Sequence, residues 1–194
     1  VDGDGDMDVL SASAGDDKIA WYENDGSESF TEHVISTAAD GANSVYGADV
    51  DGDGDMDALS ASWTDNTIAW YENDGDENFA EHTISTTANG AWTVYAADVD
   101  GDGDMDVLSA SSVDHKIAWY ENDGDENFAE TIISNSAIGA TSVYATDLDD
   151  DGDMDVLSAS QGDNKIAWHE NDGSESFAEH AISNAANGAH AVYA

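Results

Sequence analysis

The residues best suited to chemistry are the aspartates of Asp49-Val50-Asp51-Gly52-Asp53-Gly54-Asp55-Met56-Asp57, five carboxylates at every second position of nine residues. Two carboxylates about 4 Å apart repel by roughly 4 kcal/mol at an effective dielectric of 20, so five in one turn require a cation among them. Hard oxygen ligands in a flexible loop select Ca²⁺. In that reading Asp49, Asp51 and Asp53 supply side-chain oxygens from positions one, three and five. Gly54 at position six permits the sharp turn, and Asp55 at seven offers its backbone carbonyl. A helical calcium hand closes with a Glu at position twelve. Here Asp57 arrives at nine and the β-like run Ala58-Leu59-Ser60-Ala61-Ser62 follows at once, so the site joins strand to strand.

The elements that must position this loop recur with it. Further copies run from Asp98 to Asp106 and from Asp147 to Asp155, and a shorter one from Val1 to Asp8, at a period of 49 residues that Trp21, Trp70, Trp119 and Trp168 also keep. Tyr46, Tyr95, Tyr144 and Tyr193 repeat at the same interval, so residues 1–194 read as one tandem array with units of about 1–47, 48–96, 97–145 and 146–194. Within a period, Ser44 to Asp49 enters the loop as strand A and Asp57 to Ser62 leaves it as strand B. After a turn at Trp63 to Asn66, the β-branched and aromatic run Thr67 to Glu72 is strand C. Asn73-Asp74-Gly75 is a hairpin signal, and Asn78 to Ser85 is strand D. Ile68 and Trp70 lie on one face of strand C and Ala69 and Tyr71 on the other, as in sheets sandwiched between sheets. The fold class is therefore all-β, and a radial stack favours a β-propeller whose blades are four-stranded antiparallel sheets over a solenoid of stacked sheets, which fits the same pattern less comfortably.

Composition narrows the partners. With 44 acidic residues, 3 lysines and arginines together, and a formal charge of −41, the chain is unsuited to nucleic acid and to anionic membranes. No apolar run is long enough to insert in a bilayer. The absence of cysteine leaves out a disulfide framework without bearing on secretion. Dependence on several calcium sites points to an extracellular or cell-surface setting, where Ca²⁺ fills even weak sites.

Asp-x-Asp-Gly-Asp-Gly-Asp-x-Asp, then Val/Ala-Leu-Ser-Ala-Ser, then Ile-Ala-Trp-Tyr/His-Glu-Asn-Asp-Gly, resembles the FG-GAP/VCBS repeats of integrin-like β-propellers across all four periods. The resemblance implies structural calcium between strands A and B, up to four ions per chain, and modules of the kind found in adhesion receptors, secreted bacterial proteins and fungal lectins. Carried onto this sequence, the ligands are Asp49, Asp51, Asp53, Asp55 and Asp57; Asp98, Asp100, Asp102, Asp104 and Asp106; and Asp147, Asp149, Asp151, Asp153 and Asp155. The shorter loop contributes Asp2, Asp4, Asp6 and Asp8, without a position-one Asp, and Asp150 stands where the other loops have Gly at position four.

Strand order A to D puts the calcium loops and the Asn-Asp-Gly turns on one face and the B–C and D–A loops on the other. The copies differ most on that second face, where Trp63 and His115 sit in B–C turns and Asn43, Trp92, Thr141 and His190 share one D–A position. Trp63, Trp92, His115 and His190 are the candidate ligand-binding residues there, for a protein or a glycan, although neutral divergence of exposed turns yields the same pattern. His33, His82 and His180 read as outer-strand surface residues. Near-identical blades supply the same group four times where acid–base catalysis needs different environments, so the chain reads as a non-enzyme. The expectation is an adhesion or recognition scaffold; the alternative is a lectin. Three arrangements remain open for the array: a closed ring of four, an eight-bladed homodimer exchanging strand A, or part of a longer array.

Overall fold

A computed structural model describes residues 1–194 as fifteen β-strands. Blade 1 holds β1 (Val9–Ser13), β2 (Lys18–Asn24) and β3 (Phe30–Ser36); blade 2 holds β4 (Ala42–Ala48), β5 (Asp57–Ser62), β6 (Thr67–Asn73) and β7 (Phe79–Ser85). Blade 3 is β8 (Ala91–Ala97), β9 (Asp106–Ser111), β10 (Lys116–Asn122) and β11 (Phe128–Ser134). Blade 4 is β12 (Ala140–Thr146), β13 (Asp155–Ser160), β14 (Lys165–Asn171) and β15 (Phe177–Ser183). Each blade is an antiparallel meander in sequence order. Strand A begins at Ala42, two residues before the expected Ser44, because the ladder continues past a bulge to pair Ala42 with Ser62.

The strand-C pattern explains why the sheets stack. Leu59, Ile68 and Trp70 of blade 2 face Val94, Val107 and Tyr120 of blade 3, and all six are buried. Leu108, Ile117 and Trp119 of blade 3 meet Val143, Ala145 and Val156 of blade 4 in the same way. Ala69 and Tyr71, on the opposite face of the same strand, join Ile19 of blade 1. The core thus lies between blades, where each fully buried large side chain contributes on the order of 2–3 kcal/mol. The innermost strands β4, β8 and β12 lie against one another in succession, and Tyr46, Tyr95 and Tyr144 stack along them at 4.7 and 5.0 Å between ring centroids. Strand B needs small residues so close to the axis: every residue of β5, β9 and β13 is buried.

The arc is open. Blade 1 is a three-stranded sheet with a free edge on β1. Residues 191–194 form no ladder and lie beside β12, with Tyr193 82% exposed. The closed ring of four is therefore not the arrangement this chain adopts.

His33, His82 and His180 have more to do than surface residues. Their rings lie over Trp21, Trp70 and Trp168 at 4.4, 4.6 and 4.8 Å, and their Nε2 atoms meet Glu23, Glu72 and Glu170 at 2.8, 2.8 and 2.6 Å. The outer strands of blades 1, 2 and 4 thus cover their tryptophans with an imidazole anchored by a neighbouring carboxylate, while in blade 3 Thr131 stands opposite Trp119.

Blade 4 departs from the others at His169, which replaces Tyr71 and Tyr120 and pairs with buried Ser158 Oγ at 3.0 Å. Burial pushes its imidazole down to about 4. The unfolded chain therefore takes the proton first as pH falls. Stability is complete above the ordinary histidine value of 6.5 and is lost progressively towards 4, by an order of 3 kcal/mol. In saturating Ca²⁺, the melting temperature of His169→Tyr should exceed that of the native chain at pH 4.5 by more than at pH 7.5. Parallel pH curves for the two proteins would contradict this.

Candidate metal centres

The loops are built around their own carboxylates. In blade 2, Asp49 accepts the Gly52 and Gly54 amides through its two oxygens at 2.8 and 3.1 Å. Asp51 accepts Asp53 N–H at 3.1 Å and Asp53 accepts Asp55 N–H at 2.8 Å, so alternate side chains coil the backbone inward. Blade 3 repeats these bonds from Asp98, Asp100 and Asp102. In blade 4, Asp147 accepts the Asp151 and Gly152 amides, and Asp150 adopts φ +63° where the other complete loops have glycine. Asp tolerates this left-handed conformation better than most residues.

Position nine has a second task. Asp57 is 1% exposed, and its two oxygens accept the amides of Val50 at 2.9 Å and of Asn73 at 2.8 Å, tying the loop entrance to the end of strand C. Asp106 and Asp155 make the same pair of bonds. Burial outweighs these amides and pushes Asp57 and Asp106 up to about 6. A nearby cation offsets that burial cost.

Three ligand groups assemble: Asp49, Asp51 and Asp53; Asp98, Asp100 and Asp106; and Asp147, Asp149 and Asp155. In each, one oxygen from every residue lies within 4.8 Å of the others. Clustered hard oxygens beside a buried carboxylate fit Ca²⁺. The side chains of Asp55 and Asp104 lie instead against the C–D turns, where a Cβ on Gly75 or Gly124 would stand 2.5 Å from their oxygens. Their φ values of +78° and +75° favour glycine at both positions. In the first loop, Asp2 and Asp4 accept the amides of Asp4 and Asp6, while Asp8 meets the Val1 ammonium at 2.6 Å and the Asn24 amide at 2.9 Å.

Sequence reasoning missed a latch between blades. Asn122 Nδ2 donates to Met105 O of its own loop and, at 3.2 Å, to Val50 O in the loop of blade 2. Asn73 reaches Val1 O and Asn171 reaches Val99 O in the same way. The signal was the asparagine recurring before each Asp-Gly, which reads equally well as turn chemistry alone.

On the opposite face the four candidate residues make different contacts. The Trp92 and His190 rings meet edge-on at 5.8 Å, beside Thr141, whose hydroxyl donates to Ala189 O. Trp63 leans across the blade 2–3 junction, its Nε1 donating to Ser112 Oγ at 3.3 Å, and is 44% exposed. His115 is a clasp: its Nδ1 accepts the Gly139 amide at 3.1 Å, the bond that Asp17, Asn66 and Asn164 make elsewhere.

The profile of a family described as an FG-GAP-like repeat matches residues 1–60, 49–109, 98–158 and 147–194. No curated protein sequence matches the chain. Among solved structures, an Agrocybe aegerita lectin that recognises non-reducing terminal N-acetylglucosamine is similar at TM-score 0.59 and 19% identity, over 92% of this chain and 52% of that one. A chain of a nidogen/laminin complex aligns at TM-score 0.61 and 9% identity, over 91% and 60%. An auxiliary nutrient binding protein from Bacteroides thetaiotaomicron aligns at 0.55 and 9%, over 90% and 46%. This chain spans roughly half the length of each.

Proposed function

Because the chain belongs to the FG-GAP-like repeat family, we propose that it is a calcium-stabilised β-propeller scaffold for adhesion or protein recognition outside the cell, with no catalysis of its own. The observation carrying this reading is the triple recurrence of clustered aspartates on a frame otherwise held by apolar blade contacts. The aspartates at positions one and three hold the ion in every complete loop, joined by Asp53 in blade 2 and by Asp106 and Asp155 in blades 3 and 4. Calcium supplies charge neutralisation and fixes each A–B turn. Titration calorimetry with CaCl₂ should find three comparably tight sites per chain, with the first loop weaker. An absence of calcium uptake would refute the reading.

A second reading, a lectin, is favoured by the Trp92–His190 pair, an aromatic edge beside a polar ring on the divergent face. The Agrocybe lectin gives this reading a structural precedent. On a glycan array in calcium, the lectin reading expects reproducible hits that fall at least tenfold in Trp92→Ala or Trp63→Ala. Hits indifferent to both substitutions, or no hits, leave protein recognition.

A further inference from the structure

We propose that Trp119 and Trp168 are positioning residues of the calcium centres in blades 3 and 4: each donates its buried indole N–H to the position-nine carboxylate, Asp106 or Asp155, and so aims that carboxylate at the ion. This rests on the calcium reading above and adds to the site a part that lies in the apolar core.

Four buried side-chain nitrogen or oxygen atoms of the chain have no hydrogen-bond partner, and three of them are one atom repeated, Nε1 of Trp70, Trp119 and Trp168. Buried donors are almost always paired, and chance does not orphan the same one in three blades. The rings are held in place around that atom. Trp70 is stacked by His82 at 4.6 Å and met on its edge by Phe128 of the next blade at 6.5 Å. Trp119 meets Phe177 at 6.2 Å, and Trp168 lies under His180 at 4.8 Å.

The ladder decides what faces the indoles. Leu108 pairs with Trp119, so Asp106, two residues earlier on the same strand, stands on the same face and diagonal to the ring. Leu157 opposite Trp168 places Asp155 likewise, and Leu59 opposite Trp70 places Asp57. Burial favours the protonated form of Asp106, and three donors oppose it, in falling order the Asn122 amide, the Val99 amide and the Trp119 indole. Asp57 has the corresponding set in Asn73, Val50 and Trp70. Each of these two indoles therefore stands beside its carboxylate but short of hydrogen-bond geometry, and the bond is one that the loaded loop completes.

The acceptor has room for it. A carboxylate offers about four lone-pair sites. On Asp106 the Asn122 amide takes one at Oδ1 and the Val99 amide one at Oδ2. Two remain, one for the ion shared with Asp98 and Asp100 and one for the indole. Asp155 is arranged in the same way between the Asn171 and Leu148 amides, beside Asp147 and Asp149. Blade 2 supplies the contrast, because its cluster is Asp49, Asp51 and Asp53, with Asp57 outside it. There Trp70 faces a scaffold carboxylate and not a ligand.

The chain has six tryptophans, so the indole N–H resonances of an isotope-labelled sample can be followed one by one. Calcium should move those of Trp119 and Trp168 downfield and slow their exchange with solvent. Trp119→benzothienylalanine, an isostere in which sulfur replaces the N–H, should weaken calcium about tenfold at the blade 3 loop, read on the Gly103 amide in a calcium-buffered titration. The same replacement at Trp70 should leave the blade 2 loop, read on the Gly54 amide, with its native affinity; a role in packing alone would not separate the two. Stationary indole resonances while the loops fill, native affinity after the Trp119 replacement, or an equal loss after the Trp70 replacement would each overturn the positioning role and leave calcium binding intact. A native chain that takes up no calcium would overturn the calcium reading, and this inference with it.

Discussion

Excess chelator is expected to lower the melting temperature of this chain by about 15–30 °C relative to millimolar Ca²⁺. A ligand that binds only the folded state stabilises it by about 2.7 kcal/mol at a hundredfold excess over Kd, so three complete loops contribute on the order of 8 kcal/mol. For a chain of this length, each kcal/mol corresponds to roughly 2–4 °C. The effect should reach beyond the loops, because each is bonded to two blades. Val50 N–H is held by Asp57 of its own blade and Val50 O by Asn122 of the next. A loop that splays under the repulsion of Asp49, Asp51 and Asp53 disturbs that latch and the apolar junction beside it. Scanning calorimetry with and without chelator checks this, and an unchanged melting temperature would refute a structural role for calcium.

The second large effect separates metal ligation from scaffolding. Asp106→Ala should cost about 2–6 kcal/mol even in excess chelator, because it orphans two buried amides, each worth roughly 1–3 kcal/mol when left unsatisfied. Those amides belong to Val99 and Asn122, at 2.9 and 2.8 Å from the carboxylate. Asp100→Ala removes a neighbouring ligand whose only backbone bond is to Asp102 N–H, so it should lose stability mainly when calcium is present. Urea denaturation of both variants with and without chelator distinguishes the two roles. Equal losses for Asp106→Ala and Asp100→Ala in chelator would show that position nine is a ligand and nothing more.

Much of this was legible in the sequence because the period is covalent. Forty-nine residues carry the turn chemistry, the alternation and the aspartate spacing, so the repeat number, the strand order and the loops in which aspartates cluster could be read off before any coordinates. Strands B and C fell where Asp57, Ser62 and Thr67 place them, because burial on both faces leaves the strands no other register. His33, His82 and His180 do lie at the surface of the outer strands, as their position suggests, but that they also cover a tryptophan is decided across the C–D ladder, where Trp70 lies opposite His82.

Local spacing settled which residues attract a cation, since carboxylates two residues apart repel wherever the chain goes. It could not settle what each aspartate does once folded. Asp57 became a buried pin and Asp55 a neighbour of Gly75, although in sequence they are the same residue two positions apart. The asparagine latches and the edge-on meeting of Trp92 with His190 also belong to tertiary structure. Each depends on how far one blade is rotated from the next, and packing between sheets sets that angle.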